Sequence, residues 1–160
     1  MKIVVSVLFL LFLRSADLSE VRKLYTDAAK SEANANAFAN KLADVPDGDA
    51  NKVLVAYKGC SLTLKSKFSG VLADKISFMK QGAKLIDAAA AAEPENIEIR
   101  MIRLSVQESV PRIVNYREHK KKDKALILKN YEEAGDLKEY IRKFIQQSKS
   151  FTAAEKKALN

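Results

Sequence analysis

The sequence is poor in the residue types from which metal centres and many active sites are built. Its 160 residues include one histidine, one cysteine and no tryptophan. A zinc site needs more histidine and cysteine ligands than this chain carries, and we predict neither a metal nor another cofactor. Cys60 has no second cysteine for an internal disulfide. It falls on an apolar helix face, so we interpret it as a small core residue rather than a reactive thiol.

Proline and glycine are also scarce, with three and five copies. A β-protein of this length needs more turn residues, so the composition favours helix. With 48% apolar residues, the chain is long enough for one domain with a core of its own. We therefore predict an all-α fold, a single domain over residues 17–160, in which six or seven helices form stacked antiparallel hairpins.

A membrane-spanning run of about 20 apolar residues is missing throughout the chain. The longest apolar run, residues 3–13, follows Lys2 and is interrupted only by Ser6. This length and the preceding positive charge are typical of an export signal. We predict that residues 1–16 are such a signal, cleaved near residues 15–17, and that the mature protein is periplasmic or secreted without a stable transmembrane anchor. The alternative is a buried N-terminal element of a cytosolic protein.

Apolar residues at helical spacing predict four helices in the first two thirds of the mature chain. The first covers residues 17–44, and the breaker VPDGD at 45–49 separates it from the second, residues 51–68. The third covers residues 74–92, with Ile76 among its buried positions, and Pro94 separates it from the fourth, residues 95–109. The fourth helix is apolar around most of its circumference, which predicts a central position, and leaves Arg100, Arg103 and Gln107 solvated or paired between helices.

Two glycines fall inside these helices. Glycine within a helix costs about 1 kcal/mol relative to alanine, and the usual compensation is close approach of another helix. We predict such a crossing at Gly59, and Gly82 is a second small residue in the middle of the next helix.

The same stretch resembles a tetratricopeptide repeat. Gly82, Ile86, Ala89 and Pro94 have the spacing of that repeat's second helix, and Gly59 with Leu62 is similar to the small and bulky positions of its first helix. The separation of the two glycines implies an insertion between the helices. The chain as a whole also looks similar to small exported bacterial helical proteins of unassigned function. These resemblances imply tetratricopeptide-like packing and export.

The last third begins at Pro111 with a segment over residues 112–133. Gly135 ends it, and Asp136 with Glu139 has the pattern of a capping box for a strongly amphipathic helix. Thr152 with Glu155 repeats that pattern for a short last helix.

Motifs for catalysis or ligand binding are missing. The sequence contains no G-x-S-x-G, no P-loop and no dinucleotide fingerprint. Asp47, Asp49 and Asn51 have the spacing that opens an EF-hand, but the turn position is Lys52 and the twelfth position is Lys58, so we reject calcium binding. His119 lies in a lysine-rich run and is expected to be solvated. The chain is predicted not to be an enzyme, although a site built from distant helices without a recognisable motif remains an alternative.

Basic residues are concentrated near the C-terminus. Residues 111–160 carry 13 basic and 7 acidic side chains, out of 28 and 20 in the whole chain. An exported protein seldom meets nucleic acid, and the interleaved aromatics of nucleic-acid-binding segments are missing, so no nucleic acid is expected. An anionic membrane or an acidic envelope polymer is the more plausible target, and a solvated helix face is the other interpretation. The candidate contacts are Arg112, Arg117, Lys120, Lys121, Lys122 and Lys124.

Together these observations favour a non-enzymatic exported helical protein that acts as a protein-interaction or structural module, with an unknown protein partner in the cell envelope. Binding to an anionic surface through the basic C-terminal third is the alternative.

Overall fold

The computed structural model describes residues 16–159, and these residues form an all-α fold, as predicted. The predicted export signal, residues 1–16, lies outside the described residues except for Ala16. Between residues 16 and 159 there are eight α-helices, two short 3₁₀ segments and no strand. The helices are α1 (Leu18–Ala28), α2 (Glu32–Lys41), α3 (Lys52–Phe68), α4 (Leu72–Ala92), α5 (Ile97–Ser109), α6 (Lys120–Asn130), α7 (Lys138–Gln147) and α8 (Ala153–Ala158), and the 3₁₀ segments are Arg112–Val114 and Gly135–Leu137.

The single long helix predicted over residues 17–44 is wrong, because the chain breaks into α1 and α2. The Ser31 side chain accepts a hydrogen bond from the Asn34 backbone N–H at 3.1 Å and so caps a new helix. The Asn34 amide donates to the Asp27 carbonyl at 3.0 Å, which fastens the start of α2 to the end of α1. These short polar side chains satisfy helix-end groups locally, and apolar periodicity alone does not reveal them.

Side-chain caps fix the starts of most of the other helices. Asp17 caps α1, Asn51 caps α3 and Asn96 caps α5, each by accepting hydrogen bonds from the first-turn N–H groups. The predicted capping box of Thr152 and Glu155 is confirmed at α8.

The other predicted capping box, that of Asp136 and Glu139, is wrong. A 3₁₀ turn at Gly135, whose φ is +53°, leads directly into α7, and no side chain caps that helix. Glu139 instead pairs with Arg142 one turn further along, at 2.9 Å.

The antiparallel hairpin of α3 and α4 is the closest helix pair, and its two mid-helix glycines meet. A Cβ atom added at Gly59 would lie 2.6 Å from the Gly82 carbonyl oxygen, and one at Gly82 would lie 2.5 Å from the Gly59 carbonyl oxygen. Real side chains do not approach a backbone oxygen this closely, so only glycine allows the two helices to cross here. The predicted close crossing at Gly59 is confirmed.

Helix α5 occupies the centre, as its apolar circumference predicted. It packs on α3, α4, α6 and α7. Ile99, Met101, Ile102 and Leu104 are fully buried, and they link the α3–α4 hairpin to the C-terminal helices.

A buried ionic cluster joins α5 to α6. Asp123, which the sequence places among exposed lysines, is fully buried and accepts hydrogen bonds from Arg103 at 2.8 and 2.7 Å and from Gln107 at 2.8 Å. Arg100 contacts the same carboxylate at 3.3 Å and also donates to the carbonyls of Ala90 and Pro94. The expectation of pairing between helices is therefore confirmed for Arg100 and Arg103, and they are not solvated.

A second buried cluster joins α1, α3, α5 and α7. The Glu98 carboxylate accepts two hydrogen bonds from the Arg22 guanidinium, at 2.8 and 2.7 Å, and one from the Tyr57 hydroxyl at 2.6 Å. The Tyr57 and Tyr140 hydroxyls lie 2.9 Å apart. One carboxylate thus connects four helices through charge-assisted and neutral hydrogen bonds.

Candidate functional site: an apolar groove

A groove of about 1020 Å³ opens on the side of the molecule where α4 and α7 face the turn that follows α5. Its wall also receives residues from α1, α3 and α5. This volume lies at the upper end of the range for ligand pockets in proteins, roughly 300–1,000 Å³. The helices that form it are fixed to one another by the Gly59–Gly82 crossing and by the Glu98 cluster, so the groove is built into the packing of the helices.

Large apolar side chains stand exposed on two lips of this groove. Leu72 is 72% exposed and Ile76 48% exposed on α4, and Ile113 is 93% exposed in the turn after α5. Val114 lines the groove beside Ile113 and is also exposed. The prediction that Ile76 is buried is wrong, because α3 packs on another side of the first half of α4 and no element among the described residues covers the Ile76 side. Several large apolar side chains exposed around one groove mark a binding site more often than a single scattered exposed leucine does.

The hydroxyl groups of the lining are engaged inside the protein. Ser66 donates to the Lys75 carbonyl at 2.7 Å, Ser105 to the Ile102 carbonyl at 2.7 Å, and Ser109 to the Ser105 carbonyl at 2.8 Å. The Thr63 hydroxyl donates to the Cys60 carbonyl at 2.8 Å. Each hydroxyl hydrogen is therefore already used, and the groove presents mainly carbon to an occupant.

Cys60 lies in the lining of the groove on α3 and is almost fully buried. Burial raises the pKa of its thiol to about 12, and the nearby Thr63 hydroxyl has a smaller opposing effect. The thiol is thus protonated at neutral pH, and the nucleophilic thiolate is rare. The interpretation of Cys60 as a buried core residue is confirmed.

Four lysines lie around the groove: Lys67 on α3, Lys75 and Lys80 on α4, and Lys143 on α7. Among the described residues that line it there is no aspartate, glutamate or histidine. Lys75 and Lys80 form no ion pair with a described carboxylate, and Lys143 is 3.8 Å from Glu139 with both side chains largely exposed. The groove therefore combines an apolar surface with a positive rim, in which Lys75 and Lys80 pair with no described carboxylate.

The six basic residues suggested by the sequence occupy different environments. Arg112 is exposed in the 3₁₀ turn beside the groove, and the Arg117 side chain donates to the Val110 carbonyl. Lys124 pairs with Glu155 at 2.8 Å and lies 5.7 Å from the centre of the Phe151 ring. Lys120, Lys121 and Lys122 form the first turn of α6, where the latter two are exposed.

The residues of the rejected EF-hand spacing have structural roles. Asp49 accepts a hydrogen bond from the Asn51 N–H at 2.7 Å, Asn51 caps α3, and Asp47 pairs with Lys58 at 2.7 Å. Between residues 16 and 159 no group of three or more histidine, cysteine, aspartate or glutamate side chains is placed to hold a metal ion. Within the same range, no helix is both long and apolar enough to cross a membrane.

Sequence reasoning did not find the groove. The available signal was the apolar pair Ile113–Val114, which follows Pro111 in a segment without helical periodicity. A large apolar pair in a turn has no helix face through which to be buried, so it could have indicated an exposed apolar surface.

Comparison of the chain with protein-family models, with curated proteins and with solved structures finds no match in any of the three.

Proposed function

We propose that this protein is a non-enzymatic binding module and that the groove is its recognition site. The observation that carries the proposal is the groove of about 1020 Å³ with exposed Leu72, Ile76 and Ile113 on its lips. Exposing apolar surface to water costs free energy, and a partner that covers this surface removes the cost. Such a surface beside a large preformed groove supports a role in holding a partner, which is the protein-interaction function expected from the sequence.

The chemistry of the lining supports binding over catalysis. General acid–base and nucleophilic catalysis need a group that can exchange a proton or attack near neutral pH. The serine and threonine hydroxyls of the lining donate to carbonyls, the Cys60 thiol is protonated, and no described carboxylate or imidazole lines the groove. An enzyme without a recognisable motif stays the alternative prediction, and its active site would have to lie elsewhere.

Export to the periplasm or to the medium is part of this proposal and is supported by Lys2 and the apolar run at residues 3–13. N-terminal sequencing of the protein from its native cells tests it. We expect a mature N-terminus near residues 15–17, whereas an intact Met1 in a cytosolic fraction would contradict export.

Binding in the groove is tested with an apolar dye whose fluorescence rises when it is bound in an apolar environment shielded from water. We expect the full-length protein to bind the dye, and Ala83→Phe, which fills the lining, to weaken binding about tenfold because the occupant loses its space. Ala88→Phe places the same side chain on the exposed side of α4 and is the matched control. If the wild-type protein leaves the dye dark, or if both variants bind equally, the groove is not an apolar binding site.

The second candidate is the peripheral binding of an anionic membrane or polymer. It is favoured by the three consecutive lysines in the first turn of α6, two of them exposed. Vesicles containing an anionic lipid should bind at low salt, and replacing Lys120, Lys121 and Lys122 by glutamine should abolish binding. Binding that persists in this variant or at high salt would exclude the idea.

A further inference from the structure

We propose that the occupant of the groove is an amphipathic helix of another protein, with acidic residues on both sides of its apolar stripe. This inference rests on the proposed function and adds the chemistry of the partner.

The first argument is the spacing of the residues that α4 presents to the groove. Leu72, Ile76, Met79 and Ala83 all line it, at intervals of four, three and four. These intervals are those of the d and a positions of a heptad, the seam along which one helix receives another. Leu72 and Ile76 are exposed and Met79 is nearly buried, so the seam begins open and continues into the core. The open half of this seam has the form of a helix-binding surface without its partner helix.

The second argument is the charge beside that seam. In the same heptad, Lys75 occupies a g position and Lys80 an e position, the places whose charges select a partner helix. Neither pairs with a described carboxylate of this chain. Lys143 on α7 also lines the groove. Lysines on both sides of the α4 seam fit a partner helix that carries acidic residues on both edges of its apolar stripe. A single anionic headgroup would contact the lysine on one side only.

The third argument is the distribution of apolar surface. Leu72 and Ile76 lie on one lip, and Ile113 and Val114 lie on the other. A helix with its side chains is about 10–12 Å across and so presents a much wider apolar face than a single acyl chain does. An acyl chain that enters the groove would leave the outermost side chains, above all Ile113, in water.

A second copy of this chain does not fit the surface. The chain carries a net charge of +8, and pairing α4 with another α4 would bring lysines against lysines. The groove therefore calls for an acidic partner that differs from the protein itself.

The test uses a designed, fluorescently labelled peptide of about 21 residues, with leucine at a and d and glutamate at e and g. A second peptide has lysine in place of each glutamate. Fluorescence anisotropy measures the affinity of each peptide for the full-length protein. We expect the acidic peptide to bind, to displace the apolar dye from the groove, and to bind more weakly as salt is raised.

Charge reversal in the protein provides the decisive comparison. The double variant Lys75→Glu/Lys80→Glu should weaken binding of the acidic peptide about tenfold and gain affinity for the lysine peptide. The control Lys121→Glu/Lys122→Glu makes the same change of charge on the exposed turn of α6 and should change the affinity less than about twofold. Equal effects of the two double variants, or equal affinity for the two peptides, would overturn the proposal.

Other outcomes separate this inference from the proposed function. If the dye binds and is sensitive to Ala83→Phe but the acidic peptide does not displace it, the groove is a binding site and the helix is the wrong occupant. Displacement by a fatty acid alone would indicate a lipid ligand. If analytical ultracentrifugation shows a dimer and the dye dissociates it, the occupant of the groove is a second copy of this chain. A dye that does not bind at all would contradict the proposed function itself.

Discussion

Asp123 is the residue whose environment differs most from its sequence context. It stands in the run YREHKKKDK, yet it is fully buried and holds Arg100, Arg103 and Gln107 together. Burial lowers the pKa of the Arg103 guanidinium, but hydrogen bonds to Asp123 and Asp87 outweigh it and raise the pKa overall, so the charged form is secured. A buried pair of this kind contributes little when complete, but removing one partner leaves a buried charge uncompensated.

We therefore expect Asp123→Asn to destabilise the protein by about 3–5 kcal/mol, since two buried guanidinium groups lose the Asp123 charge and only Arg103 keeps another carboxylate, that of Asp87. Chemical unfolding measured by circular dichroism gives the free energy of unfolding. The control Asp136→Asn removes an exposed carboxylate, and a change within about 0.5 kcal/mol is expected there. Equal stability of the two variants would mean that the cluster is hydrated rather than buried.

Four of the five tyrosines are linked to the stability of the fold at alkaline pH. Burial raises the pKa of Tyr25, Tyr57, Tyr116 and Tyr140 above the ordinary value of 10.0, with smaller contributions from neighbouring groups. A group whose pKa is higher in the folded state than in the unfolded state stabilises the fold. This stabilisation is complete below the unfolded pKa, and it is lost as the pH rises from that value through the folded pKa. We expect unfolding above about pH 10, with these tyrosines ionising in the same cooperative step.

Absorbance of tyrosinate near 295 nm and helical ellipticity, followed through one pH titration, check this expectation. The two transitions should coincide for most of the absorbance change. Gradual ionisation of all five tyrosines near pH 10 while the ellipticity stays constant would contradict it.

At the scale of elements, the crossing of α3 and α4 determines the position of one wall of the groove. Gly82→Ala replaces a residue of low helix propensity by one of high propensity, which alone would stabilise α4 by about 1 kcal/mol. The new Cβ would, however, lie 2.5 Å from the Gly59 carbonyl oxygen. We expect the steric effect to dominate, with a net loss of about 1–3 kcal/mol in the free energy of unfolding.

Gly48→Ala is the matched control for this substitution, because a Cβ at Gly48 meets nothing within 4 Å and its φ is not positive. Its free energy of unfolding should stay the same or rise slightly. A Gly82→Ala variant more stable than the wild type would show that the helices can separate without loss.

Helix α5 and the second half of α4 both contribute fully buried side chains to the core, and these contrast with exposed residues of α6. Ile86 and Met101 are fully buried, so Ile86→Asp or Met101→Asp should lower the melting temperature sharply by placing a carboxylate in the core. Lys121 is exposed, and Lys121→Gln should barely change the melting temperature. Similar melting temperatures for all three variants would place the centre of the fold elsewhere.

Local sequence patterns predicted much at this scale. The extents of α3, α4 and α5 follow from apolar spacing and from Pro94, and the Gly59 crossing follows from the low helix propensity of glycine. The break at Ser31 was missed because the apolar spacing continues across it, and the turn there depends on a side-chain cap. The burial of Asp123 was missed because it depends on α6 packing against α5, far along the chain. The tetratricopeptide-like description of the α3–α4 hairpin stays a prediction.

For the whole molecule, the central feature is an apolar groove with a positive rim in a chain of net charge +8. Helical periodicity reports which residues of one helix share a face, but the groove arises from what α4, α7 and the turn at Ile113 leave uncovered. The sequence therefore predicts a binding module, which stays a prediction, and it does not predict the position of the groove. The charge distribution along the sequence predicts a binding surface at the C-terminal basic residues, whereas the lysines that line the groove lie on α3, α4 and α7.

The most direct measurement of the central claim is the NMR spectrum of the protein with ¹³C-labelled isoleucine methyl groups, recorded with and without the acidic peptide. Ile76 and Ile113 lie on the two lips, and Ile127 is fully buried in α6, outside the groove lining. We predict that the peptide shifts the Ile76 and Ile113 methyl signals and shows short-range contacts to both, while the Ile127 signal stays unchanged. A bound peptide that leaves Ile76 and Ile113 unaffected would contradict the assignment of the groove as the recognition site.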